Sequence, residues 1–163
     1  VSQQYAKETS VPVSRSEAQL KELLRRYGAD AIMTYEERAQ QIAAVAFRAK
    51  GRNVRLTLPL PDPTEKQFTH VRRSNGKFGP RTKAEAFRKW EQACRARWRL
   101  LVLLVQAKLE TIEAGVSTFD REFMADIMLP TGETFSQAVA QGKADKLLGP
   151  PGGSVPLLPG VST

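Results

Sequence analysis

Residues 82–115 read TKAEAFRKWEQACRARWRLLVLLVQAKLETIEAG, and this stretch decides the fold. Thr82 is a helix-capping residue with Glu85 three positions on, the spacing of a capping box, and Gly115 supplies a stop signal. The helix between them, ending at Glu113 or Ala114, aligns Phe87, Trp90, Cys94, Trp98, Leu101, Val105, Leu109 and Ile112 on one stripe. Arg88, Gln92, Arg95, Arg99, Gln106, Glu110 and Glu113 fall on the opposite one. From Leu100 to Val105 the helix is apolar nearly all round, which places its C-terminal half in the core or in a subunit contact. Trp90 and Trp98 read as core or interface anchors, and Cys94 between them as a small buried hydrophobe.

Upstream, Leu20, Leu23, Leu24 and Tyr27 give a first amphipathic helix, with Ser14 or Ser16 as its cap and Gly28 as its end. The period then changes. Ala31 to Tyr35 reads as a strand with Glu36, Glu37 and Arg38 as its turn, and Ile42 to Arg48 as a second. In Asn53 to Leu58, Val54, Leu56 and Leu58 alternate with polar residues to make a third strand, and Lys50-Gly51-Arg52 forms the hairpin turn. The alanines at 43, 44, 46 and 49 argue for helix and weaken the second strand. Pro59, Pro61 and Pro63 end the strands. A long basic connection over 59–81 follows, either a β-ribbon turning at Asn75-Gly76 or a disordered loop.

Beyond the long helix, Thr118 caps a short helix that turns Phe119, Phe123, Ile127 and Met128 inward. Pro130-Thr131-Gly132 breaks it, and a last helix spans about Thr134 to Leu148. The expected architecture is α+β: an N-terminal helix, a two- or three-stranded antiparallel sheet, a long amphipathic helix and small C-terminal helices. Residues 1–13 read as a flexible arm, 14–148 as one domain and 149–163 as a Pro/Gly-rich tail in which Leu157, Leu158 and Val161 form a candidate docking segment. A chain of 163 residues suits one core.

The longest apolar run, Leu100 to Val105, has six residues against the roughly 20 that span a membrane. The polar start through Lys7 and Glu8 has no signal-peptide pattern, and Val1 in first place points to a missing initiator Met or leader. A single cysteine excludes an internal disulfide framework, so the expected setting is the cytoplasm. Cys94 and the lone His70 cannot build a structural zinc site, and no cofactor motif is present; Gly76-Lys77-Phe78-Gly79-Pro80 lacks the spacing of a phosphate-binding P-loop. Asp30, Glu36, Glu37, Asp62 and Glu65 are the carboxylates that a Mg²⁺ nuclease would need to bring together, and their spacing matches no catalytic pattern.

Charge is the functional clue. The chain carries +8, and between His70 and Arg99 ten basic residues face only Glu85 and Glu91, so this segment holds the whole excess. Such a local excess is the footprint of a polyanion partner. The candidate nucleic-acid contacts are Arg72, Arg73, Lys77, Arg81, Lys83, Arg88, Lys89, Arg95 and Arg99, with Phe68 and Phe78 as stacking candidates for a single strand. Lys50, Arg52 and Arg55 are possible additions. The leading expectation is a non-catalytic DNA- or RNA-binding accessory protein, oligomeric through Leu100 to Val105. The alternative is an adaptor or inhibitor that docks on an acidic protein.

Trp90-Glu91-Gln92-Ala93-Cys94-Arg95, Lys108-Leu109-Glu110, Phe119, Phe123, Leu129-Pro130 and Gly132 carry a resemblance to a family of proteins encoded by bacteriophages and prophages, over Tyr5 to about Pro159. That resemblance implies a phage or mobile-element context, hence replication, recombination or a host or phage protein partner, and no particular activity. In topology, three strands followed by a long helix are similar to the core of phage single-strand annealing proteins, and helix, sheet and helix to a double-stranded-RNA-binding domain. A fold shared at that level implies no shared function.

Overall fold

The computed structural model describes residues 9–74 and 76–143. Three expectations therefore lie outside the described residues in whole or part: the arm through residue 8, the Asn75 half of the ribbon turn, and the chain from 144 onward, with its tail and docking segment.

Helix α1 spans Val13–Arg26. Its cap is Pro12 and not a serine: the Pro12 carbonyl accepts from the amides of Arg15 and Ser16, and no side chain caps the helix. Ser16 is instead buried inside the helix with its hydroxyl unpaired. Proline suits this place because its fixed φ presents the carbonyl and no N–H is needed. Leu20, Leu23 and Leu24 face the core.

Strands β1 (Ala31–Glu37), β2 (Ile42–Ala49) and β3 (Arg52–Pro59) form an antiparallel meander in the order β1-β2-β3. Glu36 and Glu37 thus belong to the strand and not to its turn. Lys50 and Gly51, with φ of 51° and 74°, make the two-residue β2–β3 turn whose both-positive φ pair matches strand twist. The alanine-rich segment is the central strand, because both its edges are paired over full length. Ala43, Val45, Phe47 and Ala49 share one buried face with Val54, Leu56 and Leu58 of β3.

After β3 come α2 (Lys66–Thr69), the ribbon strands β4 (His70–Arg72) and β5 (Phe78–Pro80), and α3 (Lys83–Glu113). Within the described residues the 59–81 connection therefore carries a β-ribbon on a helical turn. The capping box at Thr82 and Glu85 forms, and α3 ends with Ala114 as cap and Gly115 at φ 72°. Helices α1 and α3 run in the same direction across one face of the sheet: Arg99 donates to Gln19 Oε1 at 2.7 Å and, further along both, the Tyr27 hydroxyl donates to Glu113 Oε2 at 2.7 Å. Trp98, Leu101, Val102, Val105 and Leu109 fill the space between. This is the two-layer α+β arrangement.

Two features of α3 depart from the periodicity. The buried stripe begins only at Cys94, and Phe87, one of its expected members, is 57% exposed. The first turns of the helix extend beyond the layer that could cover them; Trp90 closes the gap by donating its Nε1–H to the Pro61 carbonyl at 2.7 Å. In the apolar run, Leu101, Val102 and Val105 are buried while Leu100 and Leu104 are 44% and 51% exposed, so the core encloses only one side of it.

Helix α4 (Phe119–Phe123), capped by Thr118, continues into a 3₁₀ turn (Met124–Asp126). Phe123 is fully buried and meets Phe47 edge-to-face at 5.6 Å. The backbone then bridges the outer edge of β3 through Val54 and Ile127, with Met128 N donating to Asn53 O at 2.8 Å. Within the described residues the last helix, α5, runs only over Phe135–Ala140, opened by a Thr134–Gln137 capping box. No helix among the described residues is long and apolar enough to cross a membrane.

Candidate functional site

The ribbon is positioned by its base. Asp62 Oδ1 accepts from the Thr64 amide at 2.8 Å and hydroxyl at 2.7 Å, which folds the proline-rich approach into a turn and holds the Asp62 carboxyl below its ordinary range. Phe68, on the next turn, is 5% exposed, so it pins the ribbon to the body and presents no ring to a ligand. Arg81 completes the base: its Nη1 donates to the carbonyls of Gln67 at 2.8 Å and Phe68 at 2.9 Å, and its amide donates to Thr69 O at 2.7 Å. A guanidinium on the carbonyls that end a helical turn satisfies acceptors that no backbone amide reaches.

The ribbon pairs His70 with Pro80, Val71 with Gly79 and Arg72 with Phe78. Alternation then gives its two faces different chemistry. On one face, Arg72 stands directly across from Phe78, whose ring is 75% exposed. On the other, Arg73 lies over buried Gly79, where a Cβ would come within 2.6 Å of Arg73 Nε; glycine is what admits that guanidinium. The Arg73 amide donates to Lys77 O at 2.9 Å, which closes the tip. His70 Nδ1 is 2.9 Å from the Thr69 hydroxyl.

Charge in the first turns of α3 is arranged by what the two acids do. Glu85 Oε2 accepts from the Thr82 amide at 3.0 Å and hydroxyl at 2.9 Å; these bonds, backed by the charges of Arg88 and Arg81, hold its carboxyl below the ordinary range. Glu91 takes Arg95 Nη2 at 2.5 Å. Neither acid forms an ion pair with Lys83, Arg88 or Lys89. At ~100° per residue these three cations stand roughly 120° apart around the helix, with exposed Phe87 one turn after Lys83 on the same side. Phe87 is steadied by Trp90, ring centroids 5.6 Å apart.

The nine cations expected from sequence thus divide. Arg72, Lys83, Arg88 and Lys89 are exposed and make no hydrogen bond or ion pair in the described structure; Arg73 and Lys77 are exposed at the ribbon tip. Arg81, Arg95 and Arg99 are engaged within the fold, Arg99 with Gln19 of α1. Lys50 remains exposed, but Arg52 holds Asp120 through two 3.0 Å bonds and Arg55 Nη2 donates to Gln137 at 2.9 Å, so those two fasten the C-terminal segment to β3. Phe87 was hidden by its place on the apolar stripe. The signal that could reveal it is the density of Lys83, Arg88 and Lys89 around it, too many charges for a turn that enters a core.

Other chemistry is sparse. The Cys94 thiol is pushed up to about 11 by burial first and by Glu36 and Glu91 second, the opposite of an activated nucleophile. Asp30 precedes β1 and is taken by Arg48 at 2.8 Å, while Asp62 follows β3; the strand register puts them at opposite ends of the sheet. Among the described residues no three His, Cys, Asp or Glu side chains converge to hold a metal ion. A shallow groove of about 250 Å³ between α1 and α3 is lined by Gln19, Glu22, Leu23, Arg26 and Gln106. The chain matches no protein-family model, no curated protein and no solved structure.

Proposed function

We propose that this protein binds nucleic acid without cleaving it, by neutralising backbone phosphates with the β4–β5 ribbon and the first turns of α3. The observation that carries the reading is the set Arg72, Lys83, Arg88 and Lys89: four exposed cations close together in the chain, whose neighbouring acids are already taken by Thr82 and Arg95. Exposed cations that are not held in an ion pair keep their counterions until a polyanion displaces them, so binding is favoured by counterion release and falls with salt. Exposed cations that reach backbone phosphates position a strand without reading its bases, so this mode carries weak sequence preference. A role as an accessory factor in replication or recombination fits this mode, with Leu100 and Leu104 available for self-association or a protein partner.

The test is a salt titration of the purified protein on labelled single strands and duplexes, with Mg²⁺ present and the products run on a gel. Four phosphate contacts give a slope of log K against log salt of about −3 to −4, with the oligonucleotide intact. The R72A/K83A/R88A/K89A variant then removes most of that slope and lowers affinity about 100-fold or more at ~0.15 M salt, without lowering Tm. Unchanged binding by this variant would sink the reading. An acidic protein as partner is the second reading, and it predicts no nucleic-acid binding at ~0.15 M salt.

A further inference from the structure

We infer that the ligand is a single strand whose unstacked bases lie on the rings of Phe78 and Phe87, an inference that rests on the phosphate-binding reading above. Five other phenylalanines fall within the described residues: Phe47, Phe68 and Phe123 are buried, and Phe119 and Phe135 are partly buried. The two exposed ones, at 75% and 57%, both belong to the basic segment. An isolated apolar side chain on a surface needs no explanation. Two rings that fall beside the exposed cations Arg72, Lys83, Arg88 and Lys89 form a different arrangement, the one in which successive bases stack while phosphates track a basic groove.

The geometry favours stacking over mere exposure. Phe78 sits directly across the ribbon from Arg72, so a base on the ring places its phosphate beside a guanidinium on the same face. Phe87 repeats the pairing on the helix, where Lys83 is its neighbour one turn earlier. Both supports are rigid: Arg81 staples the ribbon base to α2, and Trp90, held by the Pro61 carbonyl, backs Phe87. Extended chain from Phe78 to Thr82 and helix from there to Phe87 limit the two Cα positions to roughly 20 Å, a distance that a few nucleotides cover. A duplex keeps its base faces inside the stack, so it can use the cations but not the rings. Stacking and phosphate contact need no 2′-hydroxyl, so DNA and RNA strands share this recognition chemistry.

The experiment compares equal-length oligo(dT), oligo(U) and a mixed duplex on the wild-type chain, F78A, F87A and F78W. The expected result is tighter binding of both single strands than of the duplex. F78A weakens single-strand binding by about 5- to 150-fold, the range of one lost base–aromatic stack, with no change in salt slope or duplex affinity. F87A does the same within that range, and F78W keeps affinity while its indole fluorescence is quenched by oligo(dT). Both rings are exposed, so circular dichroism of each variant should match the parent. Phosphate binding that persists with equal affinity for duplex and single strand, or with no loss in F78A and F87A, overturns stacking and leaves the phosphate reading standing. Absence of binding to every oligonucleotide overturns both.

Discussion

Arg95 and Arg88 lie two turns apart on one helix and belong to the same sequence stripe, yet they have opposite fates. Arg95 is partly buried and tied to Glu91 at 2.5 Å, whereas Arg88 is exposed and has no ion pair. The same contrast runs through the whole basic segment. Arg81 and Arg99 serve the fold as donors to carbonyl or amide oxygens, and Arg72, Lys83 and Lys89 serve nothing within it. A local charge excess therefore overstates a binding site. The helix dictates which residues share a side, and the position of α1 decides which side is spent on structure. Along α3 the boundary falls near Trp90, where the body of the molecule begins.

The largest expected effect that could break this division is on Arg81. Replacing it with Ala removes two charge-assisted bonds and leaves the Gln67 and Phe68 carbonyls unpaired, a loss of about 1.5–3 kcal/mol. Urea denaturation measures it, and hydrogen exchange should show the ribbon amides of β4 and β5 losing protection first. A variant as stable as the parent would move Arg81 from the structural set to the binding set.

A smaller effect sharpens the boundary on α3. R95Q/R99Q should change nucleic-acid affinity by less than about 3-fold and the salt slope by under about 1, because Arg95 is already ion-paired with Glu91 and Arg99 is half-buried and bonded to Gln19. Parallel salt titrations with R88A/K89A, which loses about two contacts from the slope, provide the contrast. Equal losses in the two double variants would erase it.

The smallest effect concerns pH. Asp30 beside Arg48, Asp120 beside Arg52 and Glu133 beside Lys143 are all held below the ordinary carboxylate range, in each case by a hydrogen bond from the cation first. A lowered folded-state pKa means that the stabilisation is present above the unfolded value, about 4, and is lost as pH falls through the folded one. The Asp30 and Asp120 pairs are exposed to solvent, and in the third Lys143 is exposed while the Glu133 side chain is largely covered, so the effect on Tm is modest and, for the two exposed pairs, further reduced by salt. Scans between pH ~5 and ~2.5 should show D120N less sensitive to acid than the parent, since its side chain has no proton to gain. An unaltered pH profile would show that the Arg52 pair does not couple α4 to β3.

The elements of this fold were legible wherever a local rule decides them. Thr82 and Glu85 are three residues apart and bond each other with no help from the rest of the chain. Lys50-Gly51 turns because two positive φ values are tolerable there, and Val54, Leu56 and Leu58 alternate as a half-buried strand must. Local rules failed at Pro12, which took the cap from two serines because its own carbonyl meets the first amides of α1. They also failed to define the ribbon, whose three-residue strands are too short to show a period.

Phe68 and Phe78 mark the limit most clearly. Both flank the same basic connection, and as sequence they are equivalent stacking candidates, yet one is 5% exposed and the other 75%. Which ring meets solvent depends on the turn that Asp62 organises and on the Arg81 staple, contacts between residues far enough apart that no period links them. Phe87 makes the same point in reverse, since its place on the apolar stripe is correct and the body to cover it is missing. Sequence by itself determined the α+β class, the long capped helix and the place of the charge, because capping, alternation and net charge are properties of neighbouring residues. Only the tertiary structure decided which cations and which rings remain for a ligand, because burial and pairing depend on surfaces brought together from distant parts of the chain.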